Sequence, residues 1–288
     1  MKGIILAGGS GSRLYPATRV VSKQLLNIYD KPMIYYPLSV LMLAGIREVL
    51  IISTPDEIHK FKNLLGDGKF IGIKLFYEIQ HKPNGIAESF LIAEKFIGKS
   101  NVSLILGDNI FFGAGIQLLL KNCIKCLDSD KSVILAHNVS NPERYGIVHF
   151  DRQGNINSIL EKPKQPKSNF AVVGLYFYTN NVVQIAKNIT PSKRGELEIT
   201  SVNNEYLNNN KLKVKIMGRG YAWFDTGTPD SLLDASNFIK TIEHRQGMKI
   251  GCIEEIAFKS GFVSHKEVEK SIINHPNEYG DYLKKILD

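Results

Sequence analysis

The residues best placed to do chemistry lie near the start of the chain. A short apolar run, Gly3-Ile4-Ile5-Leu6-Ala7, leads directly into Gly8-Gly9-Ser10-Gly11-Ser12-Arg13, and Ser22-Lys23-Gln24 follows. Clustered glycines at a strand end let backbone N–H groups close on a phosphate, because no Cβ stands in the way. Arg13 offers a forked donor and Lys23 a compact point charge, the two cations a triphosphate would need. Two familiar phosphate loops fit poorly. A P-loop reads G-x-x-x-x-G-K-[ST], and no Gly-Lys-Ser or Gly-Lys-Thr occurs in this run. A dinucleotide fingerprint reads G-x-G-x-x-G; Gly9-Ser10-Gly11 begins it, but Leu14 stands where the last glycine belongs. A tight turn with no ligand is the structural alternative.

Two carboxylates stand at comparable positions. Asp108 closes an apolar run as Leu106-Gly107-Asp108-Asn109, and Asp225 sits in Trp223-Phe224-Asp225-Thr226-Gly227-Thr228. Carboxylates delivered to a crevice beside a phosphate loop suit Mg²⁺, which takes one or two of them together with phosphate oxygens and water. The alternative for either aspartate is a turn or helix-cap role. No Ser/His/Asp or Cys/His set stands out. Cys123 and Cys126 form a C-x-x-C within an expected helix, 117–127, as i and i+3 on one face, and His137 is the only nearby candidate for a further zinc ligand.

The elements that would position these groups alternate in type. Apolar strands are expected at 48–53, 73–78, 102–106 and 132–137, with helices at 34–44, 55–65 and 85–96 between them. Strands apolar on both faces and separated by helices predict a parallel sheet covered on both sides. Ligands of such sheets bind beyond the carboxyl ends of the strands, where Gly8, Gln80 and Asp108 all fall. From Tyr145 the pattern changes to short strands at 146–150, 156–160 and 172–178, a partly antiparallel extension. A helix at 196–208, a strand at 212–217, a helix at 231–245 and short helices after Gly251 complete it. The reading is α/β: a Rossmann-like, doubly wound mixed sheet with an antiparallel extension and a small helical appendage. The divisions are 1–245 for the main domain (about 1–140 around the phosphate loop and about 141–228 for the extension) and 246–288 for the appendage.

Composition sets outer bounds. The chain has 288 residues, 43% hydrophobic and 22% charged, as in soluble globular proteins. No apolar run approaches the ~18–20 residues of a membrane span, and the glycines end the first run too early for a signal peptide, so a cytoplasmic protein with no membrane partner is expected. Three cysteines and no secretion signal argue against a disulfide framework. A net charge of +8 suits anionic partners. The lysines are scattered and no nucleic-acid motif is present, which favours phosphorylated small molecules over DNA or RNA.

Gly8-Gly9-Ser10-Gly11-Ser12-Arg13-Leu14, then Lys23, then Lys31-Pro32-Met33-Ile34 resembles the start of the sugar-1-phosphate nucleotidylyltransferases, and the likeness runs on through the chain. Within that family it is nearest to members that use dTTP and glucose 1-phosphate. The resemblance implies that Gly8, Gly9, Gly11, Ser12, Arg13, Lys23, Gln24, Gln80, Gly85 and Asp108 hold the nucleotide, and that Asp108 and Asp225 hold the catalytic Mg²⁺. It implies a sugar set of Asn109, Tyr145, Gly146, Glu161, Lys162, Val172 and Gly174, with Lys162 and Arg194 as clamps on the sugar phosphate and Arg13, Lys23, Lys162 and Arg194 as the catalytic cations. It further implies a homotetramer and a second, regulatory nucleotide-sugar site reaching Arg219, Cys252, Glu255 and Ile256. The chain departs from the family pattern at Asn84 and Glu88, where Asp and Gln are common, at Val173, where Thr is common, and at Ala114. UTP in place of dTTP is the alternative within the class, and a non-catalytic nucleotide-sugar sensor the alternative outside it.

Overall fold

The computed structural model describes residues 1–9 and 11–288; Ser10 of the glycine run lies outside the described residues. β1 (Lys2–Leu6) leads into the glycine loop, and a hairpin of β2 (Asn27–Ile28) and β3 (Lys31–Pro32) precedes α1 (Tyr35–Leu43). Next come β4 (Glu48–Ser53), α2 (Ile58–Leu65), β5 (Lys74–Ile79), α3 (Glu88–Ile92), α4 (Glu94–Ile97), β6 (Val102–Leu106), β7 (Asn109–Gly113), α5 (Ile116–Leu127) and β8 (Ser132–Asn138). The extension comprises β9 (Gly146–Phe150), β10 (Ile156–Glu161) and β11 (Phe170–Tyr178). It is followed by α6 (Val182–Asn188), α7 (Ile199–Asn208), β12 (Leu212–Met217) and β13 (Tyr221–Asp225). The chain closes with α8 (Pro229–Gln246), α9 (Ile253–Lys259), α10 (His265–Ile273) and α11 (Glu278–Lys285).

Among the described residues the main sheet has nine strands, with β1 between β4 and β6, both parallel to it. β5 lies parallel to β4 at one end, and β11 joins β6 in antiparallel fashion. Successive residues of a strand face opposite ways, so the sheet feeds two cores. Ile5, Val49, Ile51 and Ile105 pack with Leu38, Phe61 and Leu120 of α1, α2 and α5 on one face. Ile4, Leu50, Ile52 and Leu104 pack with Phe90, Val183 and Val202 of α3, α6 and α7 on the other. This is the doubly wound mixed sheet with an antiparallel extension that the pattern predicts. The terminal helices share the first core through Ile253, Ala257 and Val268.

Several elements differ from expectation. The helix expected over 85–96 begins at Glu88 and breaks at Ala93. Its first turn is lost because Leu197 N donates to Asn84 O and Ala87 N to Leu197 O, holding residues 84–87 as a strap against the segment before α7. Gly85 has φ +111, and a Cβ there would stand 2.4 Å from Leu197 O. The helix expected from Glu196 begins at Ile199 for the same reason. The ladder of β7 with β13 and the short helix α6 went unread; α6 buries only Val182, Val183 and Ala186, too few positions to display a period.

The site follows from an interruption in strand pairing. β11 pairs with β8 along one edge, with a bulge between Val172 and Tyr176. On its other edge it pairs with β9 through Phe170 and Ala171, and with β6 through Leu175 to Tyr178. Val172, Val173 and Gly174 fall between those two neighbours, at the point where β6 ends and β9 begins. The Asn109 side chain partly fills the interruption: its Oδ1 accepts from Gly174 N at 3.1 Å and from Trp223 Nε1 at 2.7 Å. A Cβ on Gly174 would stand 2.6 Å from Asn109 Oδ1 and 2.7 Å from Leu106 Cδ1. Gly174→Ala should therefore destabilise the fold by about 1–3 kcal/mol, the usual cost of overpacking. An unchanged melting temperature would mean these contacts are not tight.

Candidate active site

The glycine loop lines a cavity of about 280 Å³ with Gly8, Gly9, Gly11, Ser12, Arg13, Lys23, Gln24 and Asp108 around it. These side chains come from the β1 loop, a short 3-10 turn at Lys23–Leu25 and the end of β6. Lys23 is buried, and its Nζ donates to Asp108 Oδ2 at 2.6 Å. Burial alone would raise the Asp108 pKa; the charge and hydrogen bond of Lys23, with a bond from Asn109 Nδ2, outweigh it and hold the carboxyl below the usual aspartate range.

A second cavity, of about 470 Å³, adjoins the first and shares Arg13 and Asp108 with it. Its walls carry Glu161 and Lys162 from the end of β10, Tyr145 and Gly146 from the start of β9, and Val172 and Gly174 from the interrupted edge of β11. Glu161 pairs with Gly146 across the β9–β10 hairpin, and its Oε2 accepts from Thr200 Oγ1 at 2.6 Å. Lys162 sits at φ +41, an unusual conformation for a lysine, and its Nζ lies 3.7 Å from Glu161 Oε1. Tyr145 packs edge-on against Trp223, with ring centroids 5.2 Å apart.

Asp225 reaches the same cavity from β13, directly opposite Asn109 in the β7–β13 ladder. Asp108, just before β7, and Asp225, the last residue of β13, thus lie at the same end of a single antiparallel pair of strands. Arg144 Nη2 donates to Asp225 Oδ2 at 3.1 Å. Burial, helped by the negative charge of Asp108, raises the Asp225 pKa against the opposing pull of Arg144 and Tyr145. The Tyr145 hydroxyl is itself pushed up to about 12, by burial first and then by Asp225. Among the described residues no group of three or more His, Cys, Asp or Glu side chains could hold a metal ion. Asp108, which lines both cavities, and Asp225, which lines the larger, do fit a hard divalent cation that takes its remaining oxygens from bound phosphates and water.

Some expected site residues are placed differently. Asn109 lines the cavity, but its side chain is committed to Asp108, Gly174 and Trp223, so it positions the site. Gln80 stands beside Gly8 of the glycine loop and Gly85 beside Leu197, and neither lines either cavity. Gly85 is needed for the approach of the Leu197 backbone. Arg194 also lines neither cavity; it bonds Glu198 Oε1 at 2.8 Å and lies 3.5 Å from Glu161. Val173 is buried in the opposite core from Val172, so a hydroxyl at that position would not face this cavity.

Glu255 and Ile256 line a separate apolar cavity of about 240 Å³ with Phe111, Phe112 and Ile116. Arg219 is exposed and Cys252 buried, and neither lines that cavity. Cys123 is buried in the core, where burial raises its thiol pKa to about 12, and the half-buried Cys126 Sγ donates to Asn122 O within the same helix. Arg144, Trp223, Thr200, Ile199, Tyr176 and Gly227 belong to the two cavities and were not selected from the sequence. Arg144, beside the selected Tyr145-Gly146, carried the one available signal.

The family profile described as nucleotidyl transferase matches residues 2–242. The chain is 52% identical over 288 residues to a glucose-1-phosphate thymidylyltransferase of Neisseria meningitidis, covering 100% of this chain and 99% of that one. It is 49% identical over 289 residues to the Mycobacterium tuberculosis protein of the same name, with 100% and 99% covered. A crystal structure from Bacillus anthracis in complex with sucrose, provisionally assigned the same activity, superposes with a TM-score of 0.76 at 38% identity, covering 83% of this chain and 94% of that one. A UDP-glucose pyrophosphorylase bound to UDP-glucose shares the fold, with a TM-score of 0.73 at 24% identity over 84% of this chain and 98% of that one.

The two aspartates respond to pH in opposite senses. The Asp108 pKa is lowered in the fold, so its contribution to stability is present above the ordinary aspartate range and lost as pH falls through the lowered value. The Asp225 pKa is raised, so its ionisation costs stability as pH climbs through that range. Asp225→Asn should therefore melt at or above the wild-type temperature at neutral pH while losing about 10²–10³ in turnover, the scale seen when transition-state charge stabilisation is removed. A clear drop in melting temperature would show that Asp225 is chiefly structural.

Proposed function

This chain belongs to the nucleotidyl transferase family, and we propose on that footing that it transfers a thymidylyl group from dTTP to α-D-glucose 1-phosphate, giving dTDP-glucose and pyrophosphate. The observation that carries this reading is the pair of adjoining cavities meeting at Arg13 and Asp108. One has the glycine loop and cations suited to a triphosphate. The other has a hydroxyl acceptor, Glu161, beside a lysine suited to a sugar phosphate. The activity is that of the close relatives in full-length alignment.

In this mechanism an oxygen of the sugar phosphate attacks the α-phosphorus, a new P–O bond forms, and the bond to the β-phosphate oxygen breaks. The departing electron pair leaves with pyrophosphate. A phosphate monoester carries between one and two negative charges at neutral pH, so the attack needs no general base. Catalysis then rests on positioning and on offsetting charge around the reacting phosphorus. Arg13 and Lys23 hold the triphosphate. Lys162 aligns the attacking phosphate, Glu161 accepts from sugar hydroxyls, and Arg194 reaches the phosphate once it leaves Glu198. Asp108 and Asp225 would hold Mg²⁺, which when bound supplies positive charge to the phosphate oxygens. Lys23 and Arg144, now paired with those aspartates, become available to the substrates. The setting is the cytoplasm, and a homotetramer is the proposed assembly.

Pyrophosphate release with Mg²⁺, glucose 1-phosphate and each of dTTP, UTP, CTP, ATP and GTP should be fastest with dTTP. Preference for another nucleotide would overturn the base assignment. Lys162→Ala should raise KM for glucose 1-phosphate and lower kcat, together by about 2–4 kcal/mol of transition-state stabilisation, and leave dTTP affinity intact. Wild-type kinetics would remove Lys162 from the mechanism.

A further inference from the structure

Gln80 follows β5 with its side chain buried at 5% exposure. Its Oε1 lies over the first glycine of the phosphate loop: a Cβ built on Gly8 would stand 2.9 Å from it. The other end of the amide faces two groups. Nε2 lies 2.7 Å from Glu88 Oε2 and 3.3 Å from the Gly85 carbonyl oxygen. The second oxygen of Glu88 accepts from Asn84 Nδ2 at 2.8 Å. An ionised carboxylate and a carbonyl can only accept hydrogen bonds. The Gln80 atom that meets both must therefore be the NH₂ group. This resolves an orientation that a glutamine otherwise leaves open, because the two ends of its amide have nearly the same shape.

We infer that Glu88 is a specificity-determining positioning residue. By accepting from Gln80, it turns the Gln80 carbonyl toward the nucleotide and so selects a base whose edge donates a ring N–H, as the imide of thymine or uracil does. Cytosine presents an unprotonated ring nitrogen at that position, and the two acceptors would face each other with no proton between them. The inference rests on the thymidylyl-transfer reading and adds to it that the base lies against the Gln80 carbonyl, next to the glycine loop that takes the phosphates. Asn84 completes the arrangement by satisfying the remaining carboxylate oxygen, so one negative charge sets the direction of two side-chain amides. The direction depends on where that charge sits. With the carboxylate moved to position 84, a glutamine at 88 would donate to it and still offer a carbonyl to the Gln80 NH₂. With no carboxylate at either position, only the longer contact to Gly85 O restrains Gln80.

The test compares kcat/KM for dTTP and dCTP, with glucose 1-phosphate as acceptor, in the wild type, in Glu88→Gln and in the double variant Asn84→Asp/Glu88→Gln. The dTTP-to-dCTP ratio should fall about tenfold or more in Glu88→Gln, the scale of one mismatched buried polar contact. KM for glucose 1-phosphate should not change, and the double variant should recover most of the ratio. An unchanged ratio in Glu88→Gln overturns the inference, as does a ratio that stays relaxed in the double variant. An equal loss on both nucleotides with a lowered melting temperature also overturns it, because that result is what a purely structural role gives. A wild type that turns over neither dTTP nor UTP would overturn the proposed function instead, so the two failures are distinguishable.

Discussion

β11 is nine residues long, and neither β6 nor β9 alone can pair with the whole of one edge. Most of what this molecule offers a ligand follows from that mismatch. A backbone N–H left without a partner away from water is costly. Here Asn109 meets that demand at Gly174, and the same side chain bonds Asp108 and Trp223. Closing the interruption and orienting the candidate metal ligand are thus one task. The cavity keeps its opening because the ends of β6, β9 and β10 meet there and no strand crosses it.

The charges around this opening are held in pairs. Lys23 with Asp108, Arg144 with Asp225, and Arg194 with Glu198 each place a cation against a carboxylate. Such pairs return only part of the desolvation cost of their charges, so they add little net stability. On the proposed mechanism their use is readiness. Phosphate groups and a divalent cation can take over the partners of both members, with side chains already in position. The raised pKa of Asp225 marks where this arrangement works against folding, a common feature of functional sites.

A second charge network serves the architecture. Lys31 is almost wholly buried and bonds Glu243 Oε1 at 3.1 Å, while Asp30 bonds both Lys31 and Lys249. It links the β2–β3 hairpin to α8 and to the approach to the terminal helices. In the sequence, Lys31-Pro32-Met33-Ile34 stands out as readily as the glycine run does, and nothing local separates a lysine that meets substrate from one that holds two segments together. The helix expected over 85–96 shows the same limit. Its pattern is helical from Gly85 onward, and a backbone contact from Leu197, more than a hundred positions away, removes the first turn.

The sequence by itself determined the alternation of strands and helices, the two-faced apolar strands, the glycine run and the types of charged residue that a phosphate chemistry needs. These are local matters of period, propensity and side-chain chemistry, and they can be read without neighbours. Only the tertiary structure decided which of those residues meet. Asp225 comes within reach of Asp108 through the β7–β13 ladder, a pairing of two short strands far apart in the chain that neither segment signals alone. Arg144 and Thr200 join the site because they pack against residues that were visible, and Gln80 acquires a fixed orientation because a carboxylate lies across from it. Long-range pairing and packing set these relations, and no pattern within a short window of sequence encodes them.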